Sequence, residues 1–371
     1  MSSRLLRFIP FSSIFNMKGD KGIFMIELSP QQVQQKINCE QVYTAYRAAQ
    51  QDYSARFKGS MAWKKVNGKS YLYRKTKKIW VSLGPETDET RTIYQSFTDG
   101  REQAKHRLET LKTRLAEMAP VNVALRLGRV PLLAARILRR LDAEHILGKG
   151  LCVVGTNALY AYEAMAGIHL DGSQLATLDI DLLFDARQSL KIASSALNEA
   201  GLLGLLQSVD HSIQPVAANS FRAANRDGYL IDLITPLTRF AASSGTPPRV
   251  SDHAADLLPV EIAGLKWIES SPMVEHIVID EKGFPLNMVV PDPRVFAMHK
   301  AWVAQRDDRT PEKSRRDRWQ ADIVAALVVK YLPHLDFTGT ELMALPAPVR
   351  ETGIMLQDEA RQKKSLGFWD Y

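Results

Sequence analysis

Apolar and polar positions alternate along this chain with two different periods, and the switches between them mark its elements. From Glu27 the helical period dominates. Ser29-Pro30 sets an N-cap and a first-turn proline, and the spacing predicts a helix over Pro30 to Arg56. A strand-like stretch, Ala62 to Val66, then meets Asn67-Gly68 and a second one through Tyr73, a hairpin signal. A further strand over Lys78–Leu83 ends at Gly84-Pro85. A long charged helix is expected over Asp88–Met118, broken by Pro120, and a second helical stretch over Val121–Leu141, interrupted near Gly128 and Pro131.

The pattern then changes character. Leu151-Cys-Val-Val is a continuous apolar run of buried-strand type, closed by Gly155-Thr156-Asn157. A helix follows over Ala158–Ala166 and stops at Gly167. Leu178–Leu182 reads as a strand and Asp185–Gln207 as a helix. Two hairpins are expected: Ser220–Ala224 with Tyr229–Ile234 around Arg226-Asp227-Gly228, and Ile277–Asp280 with Leu286–Val290. Ser243–Pro248 reads as a loop, and the character of Asp256–Ile268 stays open. Helices open at Pro293, behind Asp292, and at Pro311, behind Thr310; a short helix and a mobile end are expected beyond Leu342.

Three carboxylates interrupt the apolar strands. Side chains alternate across a strand, so Asp179 and Asp181 share one face, opposite Leu178, Ile180 and Leu182. Asp232 shares a face with Leu230 and Ile234. Leaving such groups buried and unpaired costs several kcal/mol, so they should face water, a cation or basic side chains. Two carboxylates one residue apart, joined by a third, suit hard divalent ions, and two ions can clamp both ends of a phosphoryl transfer. Gly155 allows a tight turn or close backbone approach, and a helix start behind it is a ready anion site.

The apolar-Gly-Thr-Asn-helix segment, Asp179-x-Asp181 and the lone Asp232 resemble the nucleotidyltransferase fold of the DNA polymerase beta superfamily. The wording Val-Gly-Thr-Asn-Ala-Leu-Tyr-Ala-Tyr-Glu163 is similar to a bacterial branch akin to abortive-infection type nucleotidyltransferase toxins. The resemblance covers roughly Leu151 to Leu332. It implies two Mg2+ ions (or Mn2+) bridged by Asp179 and Asp181. It implies that Asp232 binds the catalytic ion and draws the acceptor proton. Gly155 and Thr156 would hold phosphates, with Asn157 a ligand or a helix cap. Lys300 and Lys313, on the C-terminal helices, would reach the triphosphate; otherwise Lys313 and Asp317 are an ordinary surface pair four residues apart. The turn departs from the superfamily, which carries Gly-Ser or Gly-Gly where this chain has Gly155-Thr156.

Composition changes this picture in one respect. The chain has 371 residues and a net charge of +7, but residues 1–150 hold 27 Lys+Arg against 13 Asp+Glu and the remainder 21 against 28. A basic N-terminal part beside an acidic catalytic part suggests a polyanionic partner, or is a basicity unrelated to nucleic acid; it argues for RNA (tRNA ends) as acceptor, which would fit a toxin or defence role, with a protein side chain or a small alcohol left open. The hairpin region places Lys64, Lys65, Lys69, Arg74, Lys75, Lys77 and Lys78 among Trp63, Tyr71, Tyr73 and Trp80. These could grip single-stranded nucleic acid, or the aromatics could pack inward under a solvated lysine face. No apolar run approaches the roughly 18 residues of a membrane span. Cys39 and Cys152 have no partner motif, so a reducing, cytoplasmic setting without disulfides is expected.

The expected architecture is α+β: a mixed-sheet nucleotidyltransferase core flanked by a basic N-terminal helix and hairpin region and a C-terminal helical region. Its boundaries are a disordered leader at 1–24, the basic region at 25–145, the catalytic domain at 146–290 and the helical domain at 291–371. The expected activity is metal-dependent transfer of NMP from a nucleoside triphosphate, ATP among them, to an acceptor hydroxyl, with a cognate antitoxin as a possible protein partner and no membrane. The alternative is a non-catalytic nucleotide- or RNA-binding module on the same fold.

Overall fold

The computed structural model describes residues 25–76, 78–171, 175, 177–187, 195–237, 249–253 and 255–365. The leader, Lys77 and the Ser243–Pro248 loop lie outside the described residues.

The strands are β1 (Met25–Glu27), β2 (Ser60–Val66), β3 (Lys69–Thr76), β4 (Ile79–Pro85), β5 (Leu151–Val154), β6 (Ile168–Leu170), β7 (Asp179–Phe184), β8 (Gln214–Pro215), β9 (Arg222–Ala224), β10 (Leu230–Pro236), β11 (Val260–Ile262), β12 (Met273–Ile279) and β13 (Pro285–Pro291). The helices are α1 (Pro30–Arg56), α2 (Asp88–Ala124), α3 (Leu132–Ala143), α4 (Ala158–Ala166), α5 (Ser195–Val209), α6 (Leu265–Glu269), α7 (Pro293–Ala304), α8 (Pro311–Tyr331) and α9 (Ala347–Ser365).

The central mixed sheet runs β5-β7-β10-β9-β8, with β11 added beside β10. Strands β7, β10 and β11 are parallel, and β5 and β9 run against their neighbours. This is the α+β architecture expected. One contiguous core, from Val130 to Leu356, joins this sheet with α3, α4, α5 and the C-terminal helices. β5 is buried along its length, which is why it reads as an unbroken apolar run rather than an alternating one.

The N-terminal region is a helical arm. At 1.5 Å per residue, the 27 residues of α1 span about 40 Å and the 37 of α2 about 55 Å. Ser29 and Gln32 form a capping box at the start of α1. The root is fixed to the core: Leu28 N donates to Gly167 O (3.0 Å), Asn122 Nδ2 to Gly283 O (2.8 Å), and Arg47 reaches Asp142 and Glu275. The far end carries the three-stranded antiparallel sheet β2-β3-β4.

Several expectations change. Pro120 lies inside α2 instead of ending it. A mid-helix proline loses one hydrogen bond and crowds the preceding turn, but the turn beyond it is anchored by Asn122, which is fully buried and bonded to Gln35 and Gly283. Asp185 accepts from Arg187 N just ahead of a short helical turn at 186–187, residues 188–194 lie outside the described residues, and α5 is described from Ser195 with a kink at Gly201. Leu178 precedes β7 and is 74% exposed. The helix beyond Leu342 is longer than expected, running from Ala347 to Ser365. The open Asp256–Ile268 segment contains β11 and α6. Cys39 and Cys152 are both free and buried.

Candidate active site

The site begins at the end of β5. Gly155 adopts φ +67°, a left-handed conformation natural to glycine, and starts one 3-10 turn (Gly155–Asn157) that leads into α4. A Cβ at this position would overlap the Asp181 carboxylate oxygen, so glycine is required by space as well as by backbone angle. Asn157 is buried and makes no cap hydrogen bond; its Nδ2 donates to the Asp179 carbonyl oxygen (2.7 Å), tying the turn to β7. Thr156 is buried too, and its Oγ1 accepts from Arg316 Nη2 (2.6 Å) and Gln320 Nε2 (3.0 Å) of α8.

The three carboxylates come from adjacent strands. β10 pairs β7 in parallel with Asp232 opposite Asp181, and Asp179 lies two residues before Asp181 on the same face. Neighbouring strands are about 4.8 Å apart, which brings all three carboxyl groups to one end of the sheet. Asp179 accepts from the Thr177 hydroxyl. Arg222, opposite Asp232 on β9, donates Nε to Oδ1 and Nη2 to Oδ2 of Asp232, each at 2.6 Å, a bidentate fork. Burial, and after it the neighbouring Asp179 charge, push the Asp181 carboxyl up from 3.8 to about 7, while Lys300 pulls it down.

Further basic groups stand on α7, α8 and the turn between them. Lys300 on α7 donates to Asp317 Oδ1 (2.7 Å), and Arg309 Nε donates to Asp317 Oδ2 (2.7 Å). Asp317 thus pairs with Lys300 and Arg309, while Lys313 is exposed at the start of α8. His299 is buried among Lys300 and Trp302, and burial lowers its imidazole to about 3, so it stays neutral. Glu163 is taken up by Arg129 (2.8 Å) and by Leu170 N (2.6 Å), away from the carboxylate group.

Among the described residues, no three His, Cys, Asp or Glu side chains stand as a ready-made ion cage. The reason for Asp232 is visible: both of its oxygens face Arg222. The donor chemistry nevertheless fits. Asp179, Asp181 and Asp232 offer only hard oxygen, the choice of Mg2+ and Mn2+. Burial first, and then the Asp179 and Asp232 charges, hold the Asp181 carboxyl above its ordinary range, so added positive charge there would favour its ionised form.

The structure therefore brings Gly155 into contact with Asp181, Asn157 to the backbone of Asp179, and Lys300 within electrostatic reach of Asp181. It leaves Lys313 outward. Arg222 falls within the Ser220–Ala224 strand expected ahead of Asp232. Arg309, Arg316 and Gln320 were not picked out. For Arg316 and Gln320 the signal is the polar stripe 313, 316, 317, 320 at helical spacing, whose last two members, Asp317 and Gln320, are buried; Arg309 lies ahead of α8 and outside it.

No curated protein and no solved structure matches the chain. A family model described as a nucleotidyltransferase matches residues 133–345, a span that contains the Gly155 turn, all three carboxylates and the basic groups of α7 and α8. That span exceeds half of the chain, and the chain belongs to this nucleotidyltransferase family.

Proposed function

We propose that the chain transfers a nucleoside monophosphate from a nucleoside triphosphate, ATP among them, to an acceptor hydroxyl, releasing pyrophosphate. The observation that carries this is the register of β7 and β10, which pairs Asp232 with Asp181 beside the Gly155 turn. Asp179, Asp181 and Asp232 would hold divalent ions, Mg2+ or Mn2+. Such ions supply charge neutralisation at the phosphates.

The remaining work falls to the chain's own groups. The Gly155–Asn157 turn offers backbone N–H groups to a phosphate at the start of α4. Lys300, Arg309 and Arg316 set positive charge on the α7–α8 side, where a triphosphate tail would lie. Asp232, released from Arg222, accepts the proton of the attacking hydroxyl. Arg222 then becomes free for a phosphate oxygen. The acceptor we favour is RNA, tRNA ends included. The excess of basic residues over residues 1–150 supports it, as does the likeness of the Val154–Glu163 segment to abortive-infection type toxins. A toxin role with a cognate antitoxin follows from that likeness.

Incubation with each α-labelled triphosphate and total cell extract should place label on RNA in a Mg2+-dependent manner. Asp179→Asn should abolish it with the fold intact by circular dichroism, and retained transfer would defeat the assignment. One observation favours a second reading, a non-catalytic nucleotide-binding module: the Arg222 fork closed on Asp232. Triphosphate binding with no label transfer to any acceptor would select it.

A further inference from the structure

The sheet at the tip of the arm carries a feature that the catalytic reading does not use. From Phe57 to Pro85, eight of 29 residues are Lys or Arg and none is Asp or Glu. The strand pairing divides this sheet into two unlike faces. Leu72, Trp63 and Arg74 face the helices: Leu72 is fully buried, Trp63 packs against Tyr94 of α2 (5.9 Å), and Arg74 lies over Phe97 and donates to Arg56 O. On the opposite face, Lys64 lies across from Tyr71, and Lys75 across from Trp80, with Tyr73 between Tyr71 and Lys75 on β3. The rings of Tyr73 and Trp80 meet edge-on at 6.4 Å. Lys64 Nζ sits 3.3 Å from the Trp80 ring centre and 5.5 Å from that of Tyr73, and Lys75 Nζ is 5.3 Å from Trp80.

The structure assigns to this outward face of β2-β3-β4 the binding of single-stranded nucleic acid, by stacking of unpaired bases on Tyr71, Tyr73 and Trp80 between lysines. The inference rests on the reading above that the acceptor is RNA. Charge selects a polyanion, since no carboxylate lies in this segment to oppose one. The ring faces select unpaired bases, because those of a duplex are stacked on one another and unavailable. A base that replaces the Lys64 ammonium on Trp80 leaves that ammonium free to meet the adjoining phosphate. A lipid surface is the poorer match: inserting Trp80 would drag the ammonium groups clamped over it into an apolar layer.

The test uses the full chain and three probes: a labelled unstructured 12-nucleotide RNA, its duplex with the complement, and phosphatidylcholine–phosphatidylserine vesicles. The single strand should bind more tightly than the duplex by anisotropy. Trp80→Ala and Tyr73→Ala should each weaken it roughly ten- to hundred-fold. Lys64→Gln and Lys69→Gln, at exposed positions that leave the fold untouched, should each reduce the salt slope by about 0.7. Equal affinity for the duplex, or binding of vesicles without RNA, would overturn the inference. So would RNA affinity unchanged in the aromatic variants. Asp179→Asn separates the two readings, since it should lose nucleotidyl transfer and keep RNA affinity. Wild-type protein that binds RNA through this face yet transfers no label would sink the proposed activity alone.

Discussion

Replacing Asp181 by Asn should make the metal-free protein more stable, although the substitution removes a residue of the candidate site. In the folded chain, burial and the Asp179 charge lift the Asp181 carboxyl from 3.8 to about 7. The folded state therefore holds this proton more tightly than the unfolded state does. Stability from the protonated carboxyl is fully present below pH 3.8 and is lost as pH rises to about 7. Moving a carboxyl across that interval corresponds to about 4 kcal/mol at pH 8, and relaxation of Lys300 and Arg222 should bring the realised value nearer 2 kcal/mol. The amide of the Asp181→Asn variant has no charge to lose. The stability gap between variant and wild type should be near zero at pH 4 and grow to about 2–4 kcal/mol at pH 8. Denaturant melts in EDTA, run at several pH values, measure it. Added Mg2+ should raise the wild-type midpoint at pH 8 and leave that of the variant nearly unchanged. A variant no more stable than wild type at pH 8, with a gap that does not grow with pH, would refute the account of repulsion at this site.

Other perturbations test separate joints of the structure. Gly155→Ala puts a methyl into the Asp181 carboxylate at φ +67° and should cost about 1–3 kcal/mol while abolishing label transfer, read by thermal melts and the α-label assay. Thr156→Val removes the acceptor shared by Arg316 and Gln320, leaving Gln320 buried without it; a loss of about 1–3 kcal/mol and a raised KM for triphosphate are expected. Arg294 is 1% exposed and forks onto Asp292, so Arg294→Ala should cost about 3–5 kcal/mol in denaturant melts by stranding that carboxylate. His299, lowered to about 3, must stay neutral in the folded chain; its contribution is present above 6.5 and lost as pH falls toward 3. His299→Gln should therefore flatten the acid limb of the stability profile.

Much of the fold could be read where local signals and burial agree. α1 and α4 have the limits expected because each has a local start or stop: a capping box at Ser29, and Gly167 in the left-handed conformation. The hairpin at Asn67-Gly68 is equally local. The structure departs from the local rule where tertiary contacts override it. Pro120 would end an isolated helix, but Asn122 is buried against Cys39 and Gly283, and those contacts outweigh the lost hydrogen bond. The Asp185–Gln207 periodicity is helical, yet α5 kinks at Gly201, where Leu202 N and Leu203 N donate to Asp256, a pairing across more than 50 residues that no local window contains.

The same division runs through the site. Strand alternation placed Asp179 and Asp181 on one face, and a lone acid on a later apolar strand pointed to Asp232; the register that pairs it with Asp181 is a property of the sheet. The basic side was harder to read because its geometry depends on how α8 docks against the Gly155 turn. Lys313 and Asp317 share a face of α8, but docking turns Asp317 inward to Lys300 and Arg309 and leaves Lys313 in solvent. This docking also sets basic side chains near the three acids. Arg222 neutralises Asp232, and Lys300 pairs with Asp317 while its charge pulls the Asp181 carboxyl down. Asp181 has no such direct partner among the described residues, and it is the carboxyl whose proton is held to about pH 7. The residual imbalance therefore lies at the strand position nearest the glycine turn, where added positive charge would relieve the most repulsion.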